Sequence, residues 1–274
     1  MIRGHRTTRH NTSWWTLIFM IIAAGIGAWY VIYLDRGELL AYDQIASLEA
    51  NTAHHATIKV TLPGNTAPLF IPSREVFTAH GLWAYVAKNH RQPTGYQPRD
   101  LQPTSLPFSS TDSEPKISAR IAPTLTRLFR DATADGHNLI ISSAYRSTTA
   151  QQALYDDFVA KKGVSLANQY VAPAGSSEHH TGLAVDINDD TPLCRSTPEK
   201  CSLSGSSAAW LADHAPNYGF IIRYPAGGQP ITGIAYEPWH LRYVGIVLAK
   251  QLSNADFTFD EFIAQVTPGA TKNR

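Results

Sequence analysis

The distribution of apolar and polar positions divides the chain into stretches of different character. Residues 14–34, WWTLIFMIIAAGIGAWYVIYL, contain no charged side chain. As a helix such a run is long enough to cross the ~30 Å hydrocarbon layer of a bilayer, so the pattern predicts a membrane span. Trp14, Trp15, Trp29, Tyr30 and Tyr33 lie towards its ends, where amphipathic rings favour the headgroup region. Residues 35–56 read as a short amphipathic helix or stalk, and TIKVTLPG at 57–64 alternates with the period of a strand. From Pro93 to Pro115 the chain is rich in Pro, Ser, Thr and Gln and reads as extended. Ile121, Leu125, Leu128, Phe129 and Ala132 then recur at helical spacing within 117–135, and Gly136 is placed to end that helix. LIIS at 139–142 reads as a buried strand, and TTAQQALYDDFVAKKG at 148–163 as a helix stopped by Gly163. In 182–187, Leu183, Val185 and Ile187 alternate with Gly182, Ala184 and Asp186, the signature of a further strand.

Helix, strand, helix, then strands joined by turn-rich segments predict an α+β fold, a small antiparallel sheet with flanking helices, preceded by one transmembrane helix. The expected organisation is a basic cytoplasmic tail over 1–13, the anchor over 14–34, a stalk or small accessory region over 35–82, the main domain over 83–252 and a C-terminal tail over 253–274.

Charge orients the anchor. Arg3, Arg6 and Arg9 precede it, whereas Arg36 behind it stands beside Asp35 and Glu38, so the N-terminus is expected in the cytoplasm and the main domain outside. No A-x-A cleavage site follows Leu34, which favours an uncleaved anchor over a signal peptide. Cys194 and Cys201, in CRSTPEKC, would then lie in an oxidising compartment and are expected to form a disulfide. Closing so short a loop is worth about 2.5 kcal/mol in the chain-entropy model, a local staple. With 43% hydrophobic and 16% charged residues the chain has the composition of a folded protein. Its net charge of +1, without a basic run interleaved with aromatics, argues against nucleic acid as a partner.

The chemistry gathers in three short blocks. On a strand over 182–187 the Leu, Val and Ile positions enter the core while the other face presents Asp186 flanked by small residues. His179 lies seven residues earlier, close enough for a turn to bring its imidazole beside that carboxylate. Imidazole and carboxylate are good zinc ligands, and a catalytic zinc site uses three protein ligands and one water. YEPWHLRYVG at 236–245 offers His240 as the third, with Glu237 about one turn away as an acid that can act on bound water without being a ligand. SAYRS at 143–147 ends a buried strand, where Tyr145, Arg146 and, slightly later, Gln151 can face a cleft. The Arg146 fork suits a substrate carboxylate or a developing oxyanion. His180 adjoins His179 and is expected to point the other way, and Trp239 can equally be packing.

SAYRS, SEHHTGLAVDI and EPWH, in this order, resemble the zinc D-Ala-D-Ala carboxypeptidases and L,D-carboxypeptidases of the vancomycin-resistance type, a group that shares its fold with hedgehog signalling domains. The pattern S-x-H-x-x-G-x-A-x-D is met by Ser177, His179, Gly182, Ala184 and Asp186, and E-x-W-H by Glu237, Trp239 and His240. Tyr96, Pro98 and Leu101 resemble the lead-in of the group, so the likeness covers roughly 83–250. It implies one Zn2+ held by His179, Asp186 and His240, Glu237 as the catalytic base, and substrate contacts from Arg146, Gln151 and Ser177, with Tyr145 and Trp239 beside them. It also implies loss of a C-terminal D-alanine from peptidoglycan stem peptides, a substrate found outside the bacterial inner membrane where the anchor would place the domain. His180 departs from the group, where Gln is frequent, and the chain before residue 83 has no counterpart in it. Two alternatives stand beside this reading: an endopeptidase or amidase using the same zinc site, and a non-catalytic binding module that zinc merely stabilises.

Overall fold

The computed structural model describes residues 56–110, 113–197 and 200–267. The expected anchor at 14–34 and the tail at 1–13 lie outside these residues, and among the described residues no helix is long and apolar enough to cross a membrane. The described residues begin with the hairpin of β1 (Thr57–Val60) and β2 (Leu69–Pro72), followed by the short helix α1 (Ser73–Phe77). β3 (Leu101–Pro103) and β4 (Lys116–Ser118) form a second antiparallel pair, and α2 (Ala122–Ala134) leads to β5 (Leu139–Ser143). Helices α3 (Thr148–Lys162) and α4 (Val164–Tyr170) precede a 3-10 turn at Glu178–Thr181 and β6 (Ala184–Asp189). Helices α5 (Pro192–Ser196) and α6 (Gly205–His214) follow, then β7 (Phe220–Tyr224), α7 (Gln229–Thr232), β8 (Glu237–Tyr243), α8 (Ile246–Ala255) and α9 (Phe259–Val266).

The central sheet has the order β5-β6-β8-β7 and is antiparallel throughout. This is the α+β architecture with a small antiparallel sheet that the pattern predicts. One face of the sheet meets α2 and α6: Leu125, Leu128, Phe129 and Ala132 of α2 and Trp210 and Leu211 of α6 pack on Leu139, Ile141, Val185, Ile187 and Leu241. Helix α2 starts later than its apolar spacing suggests, because residues 116–118 are taken into β4 and Pro123 fits the first helical turn, whose N–H groups have no partner in any case. Helix α3 runs as expected, capped by the Ser147 side chain and ended at Gly163, whose φ of 84° suits only glycine.

A second core lies elsewhere. Leu69, Ile71 and Val76 from the N-terminal hairpin and α1 pack with Ile221, Leu248 and Leu252 and with Phe259, Phe262, Ile263 and Val266 of α9. The stretch read as a C-terminal tail therefore carries a buried helix. Its start is secured by a capping box in which Thr258 and Glu261 bond each other's backbone N–H. The second half of the accessory region folds onto this same helix rather than standing apart as a stalk.

Candidate active site

β6 and β8 are neighbours in register, with Asp186 directly opposite His240. Cross-strand partners sit about 5 Å apart at Cβ, so the pairing alone brings a carboxylate and an imidazole to one point on the face opposite the main core. His179 arrives from the 3-10 turn. The Arg146 N–H donates to the His179 carbonyl at 3.3 Å, and the Ala144 carbonyl accepts from His179 Nδ1 at 2.8 Å. With Nδ1 carrying the proton, Nε2 keeps its lone pair and faces Asp186 Oδ2 at 3.3 Å. His240 turns Nδ1 towards Asp186 Oδ1 at 3.1 Å, and the two rings stand 5.0 Å apart at 85°.

One donor atom from each of His179, Asp186 and His240 lies within 4.8 Å of the others. Ligand bonds of ~2.0–2.2 Å in a tetrahedron put donors a little over 3 Å apart, and each imidazole nitrogen stands at about that distance from one oxygen of Asp186, His179 from Oδ2 and His240 from Oδ1. Asp186 Oδ1 is buried without a hydrogen-bond partner, a place a cation would fill. Two imidazoles, one carboxylate and an open side suit zinc in a catalytic setting.

The surrounding electrostatics divide the carboxyl groups. Burial alone would raise Asp186, but the flanking imidazoles of His179 and His240 hold it well below the usual carboxylate range. Glu237 behaves oppositely. Burial, reinforced by the charge of Asp186, pushes it up to about 8 against the pull of His240 and Arg146. Its Oε2 is 3.7 Å from His240 Nδ1. It is thus a carboxyl whose proton is exchangeable near neutral pH, beside the donor cluster and outside it.

These groups line a cavity of about 460 Å³ that also includes Arg146, Gln151, Ser177 and Trp239. The Arg146 guanidinium is buried and held in place, donating to Gln151 Oε1 at 2.9 Å and to Ser143 Oγ at 2.7 Å, while Gln151 Nε2 donates to the Ala172 carbonyl. Ser177 accepts the His179 N–H and starts the turn. Trp239 also packs on the main core.

Two expectations change. Tyr145, expected in the cleft, lies outside the cavity wall. Its backbone pairs with Glu114 and Lys116, and successive residues of extended chain point to opposite sides, so Arg146 faces in and Tyr145 away. Gly182 is not part of the strand, which starts at Ala184. It closes the 3-10 turn at φ 67°, and a Cβ there would lie 2.8 Å from Leu101 Cδ2. Leu101 of the lead-in therefore packs against this turn. Ala184 lies in the strand, directly opposite Arg242. His180 points away as expected, with Nδ1 donating to the Arg146 carbonyl and Nε2 accepting from Gly175.

The family model for VanY, D-alanyl-D-alanine carboxypeptidase, matches residues 114–246. YodJ of Bacillus subtilis (strain 168) is 39% identical over 188 residues, 67% of this chain and 67% of its own length. This chain belongs to the VanY family. The LdcB LD-carboxypeptidase structure, described as showing the basis of peptidoglycan recognition, superposes with a TM-score of 0.60 at 34% identity, covering 70% of this chain and 90% of that one. A Glu→Ala variant of the vancomycin-resistance D,D-pentapeptidase VanY, solved with Zn(II), superposes at 0.56 with 34% identity, covering 66% and 98%. The chain spans about two thirds of the length of its curated relatives. The paired Cys194 and Cys201 form the expected disulfide, with Cys201 in the cavity wall. Among the wall residues that the motifs leave unmarked are Glu178, Tyr224 and Asn188. Glu178 and Asn188 occupy positions that the pattern leaves open or does not reach. The Asn188 Oδ1 is buried without a partner, and the Tyr224 ring meets His240 at 5.0 Å, tilted by 53°.

Proposed function

We propose that this chain is a zinc carboxypeptidase that removes the C-terminal D-alanine from peptidoglycan stem peptides outside the bacterial cytoplasmic membrane. The observation that carries the reading is Glu237, a buried carboxyl 3.7 Å from His240 at the edge of a three-donor cluster, in a cavity that also holds a fixed guanidinium. A purely structural zinc site is closed and needs neither group. His179, Asp186 and His240 hold the ion, and zinc, when bound, supplies an acidified water and polarises the scissile carbonyl.

Glu237 takes a proton from the attacking water and returns one to the leaving amine. Arg146, already fixed by Ser143 and Gln151, receives the terminal carboxylate without ordering cost at the moment of binding. Leu154, Phe158 and Leu166 line part of the same cavity and exclude water from one side of the peptide. The membrane placement is supported by the uncharged run at 14–34 and by Arg3, Arg6 and Arg9 ahead of it.

The test is product analysis. Purified protein is incubated with muropeptides bearing pentapeptide or tetrapeptide stems, and products are identified by mass. Loss of one terminal D-alanine is expected, and the stem that reacts assigns D,D- or L,D-specificity. Opening of cross-links with the termini intact would overturn the carboxypeptidase reading in favour of an endopeptidase.

A further inference from the structure

Behind the metal-binding residues lies a fully buried cluster of charges that the proposed reaction does not use. Glu178 sits between Ser177 and His179 with its side chain turned inward, and no solvent reaches it. Its Oε1 meets two guanidinium groups, Arg223 Nε at 2.8 Å and Arg242 Nη1 at 3.0 Å. Its Oε2 makes no hydrogen bond and lies 3.6 Å from His240 Nε2. Arg223 is held on every side. Its Nη1 donates to Asp260 Oδ2 at 2.5 Å and Nη2 to Oδ1 at 3.3 Å, and its guanidinium stacks 4.9 Å from the Tyr224 ring and 5.5 Å from Phe259. Arg242 donates to the carbonyls of Leu82 and Ala84. Tyr85 adds a 2.6 Å bond to Asp260 Oδ1.

The cluster balances two carboxylates against two guanidinium ions, so each charge is compensated only while all four are present. With Oε1 occupied by arginines, Glu178 can offer only Oε2 to the imidazole. This leaves His240 with Nε2 turned to a carboxylate and Nδ1 turned to Asp186, the orientation a ligand needs. Asp260 fixes the arginine that fixes Glu178. It stands on α9, beyond residues 114–246 that match the family model, and Tyr85 lies before them.

We propose that Asp260 is a positioning residue of the metal site, acting through Arg223 and Glu178 on His240, so that the C-terminal helix braces the site from behind. The proposal rests on His240 being a zinc ligand. Loss of the Asp260 charge leaves Arg223 half satisfied and an excess positive charge buried behind the ion. Arg223 then draws Glu178 towards itself and away from the imidazole.

The experiment measures zinc affinity of the full chain by competition with a chelating dye. Residues that orient a ligand typically contribute 10–100-fold to metal affinity, and at one further remove Asp260→Asn is expected to weaken zinc binding about tenfold. Phe262→Leu, in the same helix and fully buried, should lower the melting temperature while leaving zinc affinity at the wild-type value. Tyr85→Phe removes only one bond to Asp260 and serves if Asp260→Asn does not fold, with a weakening of about two- to threefold expected. Wild-type affinity in the Asp260 variant, or in Tyr85→Phe where that variant does not fold, overturns the proposal. So does equal weakening in Phe262→Leu. His240→Ala separates the two readings: if it retains full zinc affinity, the ligand set itself is wrong.

Discussion

Glu237 offers a test that needs no substrate. In the metal-free protein its carboxyl is raised from 4.5 to about 8, chiefly by burial and then by Asp186. Between these values the folded state keeps a proton that the unfolded chain has already released, so its contribution to stability is fully present below pH 4.5 and is lost as pH rises through about 8. Integrated from about pH 5 to about pH 9, this single group withdraws on the order of 4 kcal/mol. Glu237→Gln keeps the shape and cannot titrate. Urea unfolding of both proteins, stripped with chelator, should therefore show the wild type losing stability relative to the variant by that amount across the window. Groups that make no contact with Glu237 contribute equally in both proteins and cancel in the difference. A constant difference from pH 5 to pH 9 would refute the claim that Glu237 is held protonated by its surroundings in the metal-free protein.

With zinc loaded, the same Glu237→Gln protein should retain the ion by elemental analysis but lose roughly 10²–10⁴-fold in kcat, the range for removal of a general base. Arg146→Lys should reduce kcat/KM by roughly 10–100-fold, because an ammonium cannot make two parallel bonds to a carboxylate, and an unchanged value would remove Arg146 from substrate recognition. Reducing the Cys194–Cys201 bridge, or replacing both by serine, should lower unfolding free energy by about 2.5 kcal/mol. Gly182→Ala should cost about 1–3 kcal/mol, since it strains a positive φ and meets Leu101, and a neutral result in calorimetry would contradict the packing described.

How much of this was legible in the chain depends on the range of the interaction that fixes each residue. Alternation along 183–187 marks which side chains enter the core, and Val185 and Ile187 are there. The strand nature of β8 follows less directly, because Glu237 and His240 read as one helical turn, whereas both lie on a strand whose pairing with β7 shifts register between Ile222 and Tyr224. That shift brings together residues three apart, which a regular strand would not do. Gly182 shows the right residue with the wrong reason, since its requirement comes from Leu101 and Ser118, far off in sequence. Tyr145 went astray because polarity at a strand end does not say which of two neighbours faces in.

Glu178 is the most instructive case. It stands in the SEHH block at a position that the motif treats as free, and by composition a glutamate before two histidines reads as a solvated residue. Its burial depends on Arg223, Arg242 and Asp260, which come from two strands and the C-terminal helix, none adjacent to it in the chain. A charge can be buried only where partners meet it, and no local pattern encodes partners supplied by three separate segments. The same reasoning explains why the regions outside the motifs look dispensable in sequence. The N-terminal hairpin and α9 carry little chemistry themselves, yet they close the second core over Arg223 and Tyr85, and this core keeps water from the charges behind His240. A chain cut to the motif-bearing residues alone would keep every expected zinc ligand and lose what holds one of them in place.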